Sequence, residues 1–107
     1  MTTTEQLIFV CEKLLGWTDV VITPDGILVG FNPNGEKGFR TSLPPLTFDL
    51  VYECEEKLND VQQRKYAMSL HESTNAGETF GRGLNYFRIL HATKEQRLAA
   101  LVATINL

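Results

Sequence analysis

Three groups of residues in this chain are of types that could do chemistry. Gly77-Glu78-Thr79-Phe80-Gly81-Arg82-Gly83 is glycine-rich and carries one guanidinium. Backbone N–H groups at such glycines, together with Arg82, could cradle a phosphate. A P-loop, however, opens a helix and ends in Gly-Lys-Ser/Thr. This run leads into a strand-like segment and lacks that ending, so a hairpin loop is the simpler reading. His71 and His91 form the second group, but a third ligand at metal-binding spacing is missing. Cys11 and Cys54 form the third. Each falls on or next to the apolar stripe of a predicted helix, with no His or helix N-terminus to lower its pKa, which describes buried free thiols. Ser69 and His71 occur near each other without a placed acid, so no catalytic triad follows. We expect no enzyme, no metal and no cofactor.

Charge narrows the partners. The 107 residues carry a net charge of −3. That balance lacks the basic footprint of a nucleic-acid or anionic-membrane binder. Phe80, Arg82, Tyr86, Phe87 and Arg88 do interleave aromatic and basic groups, as some nucleic-acid-binding sheets do. They lack an RNP-like pattern, and we expect no direct nucleic acid. The start Met1-Thr2-Thr3-Thr4-Glu5 has no basic n-region and no apolar run approaches a membrane span. The expectation is a cytoplasmic protein of the host cell. With 43% hydrophobic residues the chain can fill one core, so we read residues 1–107 as a single domain.

The elements that would position these groups follow from periodicity. Leu7, Val10, Cys11, Leu14 and Leu15 make an apolar stripe, predicting a helix from about Thr4 to Leu15. Thr2 with Glu5, or Thr3 with Gln6, offers a capping box, and Gly16 a C-terminal stop. Trp17 is expected to fold back on that end. Val20–Ile22 and Ile27–Val29 flank Thr23-Pro24-Asp25-Gly26, which predicts a hairpin. Asn32-Pro33-Asn34-Gly35 reads as a second turn, leading to a polar loop or short edge strand over 36–40. Thr47 should cap a second helix with Leu50, Val51, Cys54 and Leu58 inward and a solvated Glu-rich side. Tyr66–His71 alternates with period two, predicting a third strand. Asn85–His91 gives a fourth. Between them the connection from Glu72 to Leu84 is rich in glycine and polar residues. Thr93 and Gln96 cap a last helix striped by Leu98, Leu101, Val102 and Ile105. The order α-β-β-α-β-β-α predicts an α+β domain: a four-stranded antiparallel sheet sandwiched by three helices.

Four pieces in this order resemble the phage ABA-sandwich domain family, small proteins of phages and prophages. Cys11-Glu12-Lys13-Leu14-Leu15-Gly16-Trp17 resembles its first helix ending in Gly-Trp. Leu43-Pro44-Pro45-Leu46-Thr47-Phe48-Asp49 resembles its Pro-Pro approach to the middle helix. Tyr66 to His71 resembles its third strand, and Ala92-Thr93 with Leu98-Ala99-Ala100-Leu101 its last helix. The stretch from Glu72 to Leu84 and Tyr86-Phe87 depart from the pattern. The resemblance implies the sandwich fold and a phage origin, and it transfers no activity.

On this basis the leading expectation is a phage or prophage accessory protein that binds without catalysis. Its sharpest form is an inhibitor of a host defence factor, as anti-CRISPR proteins are, meeting a basic groove with acidic surface. The candidate partner-facing acids are Glu53, Glu55, Glu56 and Asp60. One alternative is a sequestering binder of a small anionic ligand such as a signalling nucleotide, using His71, Glu72, Gly81, Arg82, Gly83 and Arg88. Another is a structural, self-assembling phage protein. Phe39, Phe48, Tyr52, Phe80 and Phe87 exceed what one small core needs, which points to a homo-oligomer, a dimer or higher.

Overall fold

The computed structural model of the chain describes residues 1–73 and 90–105. Helix α1 spans Thr3–Leu14 and opens as its sequence predicts. The Glu5 N–H donates to Thr2 Oγ1 at 3.1 Å, and the Thr2 N–H returns a bond to Glu5 Oε1 at 3.2 Å. Gly16 follows at φ +77°, a conformation glycine adopts without a Cβ clash. The Cys11 carbonyl then accepts from the N–H groups of both Leu15 and Trp17. Those bonds turn the chain sharply, and Trp17 is buried as expected.

Strands β1 (Thr18–Ile22), β2 (Leu28–Phe31) and β3 (Thr41–Ser42) form an antiparallel sheet in that order. The hairpin turn lies where Thr23-Pro24-Asp25-Gly26 predicts it. The Gly26 N–H donates to the Thr23 carbonyl at 2.9 Å, and the Thr23 N–H to the Ile27 carbonyl at 2.8 Å. A bulge between Thr18 and Val21 interrupts the β1–β2 register. A Cβ at Gly30 would sit 2.9 Å from Val20 Cγ2 and 3.2 Å from the Thr18 carbonyl oxygen. The close approach of β2 to this bulge therefore requires glycine. The polar stretch 36–40 is not strand; the edge pairing begins only at Thr41.

Helix α2 spans Phe48–Glu56, capped by Thr47 Oγ1 accepting from the Leu50 N–H at 3.2 Å. Its inward side is Leu50, Val51 and Cys54, continued by Leu58. Helix α3, Asp60–Ser73, replaces the expected third strand. Asn59 and Gln62 form a reciprocal cap at its start, at 2.9 and 3.0 Å. Tyr66–His71 is thus helical, and Glu72 and Ser73 belong to the helix rather than to a loop. Residues 85–89 of the expected fourth strand lie outside the described residues. Its last two, Leu90 and His91, are a helix end and a turn. Helix α4, Lys94–Ile105, starts at the Thr93–Gln96 capping box.

The protein is therefore α+β with, among the described residues, four helices and a three-stranded antiparallel sheet. Its main core lies between helices. Val10 of α1, Val51 and Cys54 of α2, Tyr66 and Leu70 of α3, and Leu98 and Leu101 of α4 meet there. A smaller cluster of Cys11, Trp17 and Leu43 joins the sheet to α1, with Val20 and Leu28 packed against it. The sheet is thus attached to a helical body. The four-stranded sandwich is not formed by the described residues, because 66–71 contributes a helix to the core. Among the described residues, no helix is long and apolar enough to cross a membrane.

Candidate functional site

Helix α2 presents the most distinctive surface. With Leu50, Val51, Cys54 and Leu58 buried, the helical repeat turns Asp49, Tyr52, Glu53 and Glu56 outward, and all four are exposed. Phe48 and Tyr52, one turn apart, stack with ring centroids 6.1 Å apart at an interplanar angle of 30°. They are 43% and 49% exposed. Asp49, Glu53 and Glu56 run beside them, so two aromatic faces are bordered by three carboxylates. Lys57, at the helix end, is the nearest cation in sequence. Glu53 has no ion-pair partner among the described residues.

Of the four acids expected to face a partner, Glu53 and Glu56 lie on this surface. Asp60 is exposed but belongs to the first turn of α3, where it complements the helix dipole. Glu55 departs from the set. Its carboxylate lies 3.5 Å from the Arg97 guanidinium, and both side chains are mostly out of water. Arg97 also donates to the carbonyls of Ala92 and Leu90, each at 3.3 Å. Tyr66 is buried beside this pair. Burial, with the Glu55 charge second, raises its pKa. This buried Glu55–Arg97–Tyr66 group links α2, α3 and α4. The sequence reading missed it, and an arginine on the apolar stripe at position 97 was the available signal.

A second feature adjoins the Glu53 flank of α2. Leu15, Trp17, Asn32, Asn34, Pro44 and Glu53 line a cavity of about 200 Å³. Its walls are fixed locally. The Asn34 N–H donates to Asn32 Oδ1 at 3.0 Å and the Gly35 N–H to the Asn32 carbonyl at 3.0 Å. Pro33 Cγ lies 3.4 Å from where a Cβ on Gly16 would stand, so this turn leans on the end of α1.

For the anion-binding set, His71 is half-buried and Glu72 exposed on the last turn of α3. They border an open depression with Ala67 and Met68. Gly81, Arg82, Gly83 and Arg88 lie outside the described residues. Of the aromatic residues expected to form a self-interface, Phe39 is 65% exposed, while Phe80 and Phe87 lie outside the described residues. Cys11 and Cys54 are free and fully buried. Burial pushes their thiols up to about 11 and about 12, where they are unreactive at neutral pH. No His, Cys, Asp or Glu group of three or more gathers as a metal site among the described residues. Compared with family models, curated proteins and solved structures, the chain matches none.

Proposed function

We propose that this chain is a binding protein without catalytic activity, and that α2 is its contact surface for a basic region of another protein. The observation that carries the reading is the exposed Phe48–Tyr52 stack bordered by Asp49, Glu53 and Glu56. Aromatic side chains supply most of the energy at interfaces, while surrounding charges select the partner and steer its approach. A two-fold contact between copies through this face would set like carboxylates opposite one another, so a basic partner fits it better. In its sharpest form the partner is a host defence complex whose nucleic-acid groove is occupied by this acidic surface. The phage origin rests on the sequence resemblance, while the inhibitor form rests on the small size, net charge of −3 and absence of a catalytic motif in the sequence.

The test is a capture experiment from host lysate with two controls. Wild-type protein should retain a basic protein that is released by added duplex DNA or by raised salt. A Phe48→Ala/Tyr52→Ala protein should retain none of it. Capture that survives the double substitution would place the contact elsewhere and reject the reading.

A further inference from the structure

The cavity at the Glu53 flank has a shape and chemistry of its own. At about 200 Å³ it is smaller than the roughly 300–1,000 Å³ of pockets that enclose drug-sized ligands. A single side-chain head fits it. The Glu53 carboxylate, unpaired among the described residues, makes it hostile to an anion and favourable to a cation. Asn32 Oδ1 accepts one bond, from the Asn34 N–H, and retains a second lone pair. The side-chain amide of Asn34 also lines the cavity. Trp17 and Pro44 supply apolar walls.

Resting on the α2 reading, we propose that this cavity is a recess for one guanidinium, the head of an arginine side chain carried by the partner. An ammonium is a compact, strongly hydrated point charge that cannot meet a carboxylate and an amide oxygen in one plane. A guanidinium is flat, more weakly hydrated, and spreads five donors in one plane. It can pack beside Trp17 and Pro44 while donating to Glu53 and to the Asn32 side-chain oxygen. The recess is formed before binding. Trp17 is held by its N–H bond to the Cys11 carbonyl at 3.1 Å, and the Asn32–Gly35 turn is closed by its own hydrogen bonds. Little ordering remains to be done when the side chain enters. Glu53 belongs to both surfaces, so the aromatic stack and the recess would read adjacent parts of one basic segment.

Trp17 is the sole tryptophan of the chain, so its fluorescence reports on this cavity alone. The probe is N-acetyl-arginine amide, with the neutral citrulline analogue and the lysine analogue as comparisons. We expect a saturable change in Trp17 emission with a Kd on the order of millimolar, as a ligand of that size allows. The citrulline analogue should give no saturation, and the lysine analogue should bind more weakly. Glu53→Gln, an exposed substitution that keeps the side-chain shape, should weaken arginine amide binding about tenfold. Tyr52→Ala should leave it unchanged. That separates the two ideas: arginine amide binding that persists while protein capture never depends on Tyr52 rejects only the α2 reading. An absent response, an equal response to citrulline, tighter binding of lysine, or indifference to Glu53→Gln would overturn the recess.

Discussion

The Arg97 guanidinium and the Glu55 carboxylate meet at 3.5 Å with side-chain exposures of 11% and 24%. Arg97 also holds the carbonyls of Ala92 and Leu90, so one side chain joins α2, α4 and the segment before α4. Removing one member of such a pair leaves the other charge in a poorly solvated position. Arg97→Ala should cost about 3–5 kcal/mol, measured by urea unfolding. Arg97→Met with Glu55→Leu should recover part of that loss, because no charge is then stranded. Recovery stays partial, since the two carbonyls still lack their donor. A cost for Arg97→Ala below about 1 kcal/mol would mean that water solvates the pair.

Met68 decides between the helix and the strand that the sequence allowed. A strand through Tyr66–His71 would bury Tyr66, Met68 and Leu70 on one side. A helix buries Tyr66 and Leu70, one turn apart, and turns Met68 away. Tyr66 and Leu70 are buried and Met68 is 67% exposed. Met68→Gln should therefore change unfolding free energy by no more than about 0.5 kcal/mol, as exposed substitutions do. A loss of about 2 kcal/mol or more would return Met68 to a buried face.

The same pair of templates explains what was legible. Both place Tyr66 and Leu70 inside, so a six-residue window could not separate them. The Asn59–Gln62 cap and the helix-favouring Gln63-Arg64-Lys65 upstream carried the missing information. Where local chemistry was decisive, the reading matched the fold. The Thr2–Glu5 and Thr93–Gln96 boxes, the Thr47 cap, the Gly16 stop and both turns all stand where their residues predict. The α2 surface was half legible. Spacing exposes Glu53 and Glu56, but only tertiary packing directs Glu55 to Arg97 and opens the cavity between Trp17, Asn32 and Glu53.

Gly16→Ala tests how the recess is built. At φ +77° an alanine is strained by roughly 1–2 kcal/mol. The neighbouring Pro33 Cγ, 3.4 Å from the new Cβ, is close to ordinary contact and adds little. Backbone strain should thus dominate. We expect thermal unfolding at a lower temperature, together with altered Trp17 emission in the folded protein as the chain relaxes around residue 16. Unchanged stability would show that the turn after α1 accommodates a side chain freely.

The two buried thiols make stability depend on alkaline pH. Burial raises Cys11 from its ordinary value of 9.0 to about 11 and Cys54 to about 12. In the unfolded chain both ionise near pH 9. Below that value each thiol is protonated in both states and the contribution to folding is complete. Above it the unfolded state binds fewer protons than the native state, so stability falls as pH rises toward the folded values. Each thiol can contribute a slope of about 1.4 kcal/mol per pH unit within that window. Cys54→Ala removes one of the two titrations and leaves a cavity whose cost does not vary with pH. Urea unfolding at pH 8.5 and pH 10.5 should therefore show wild type and Cys54→Ala drawing closer together as pH rises. Tyr66 titrates in the same direction in both proteins, so it cancels in that comparison. A stability difference that stays constant across the interval would mean that Cys54 ionises alike in the folded and unfolded states, and that its surroundings admit water.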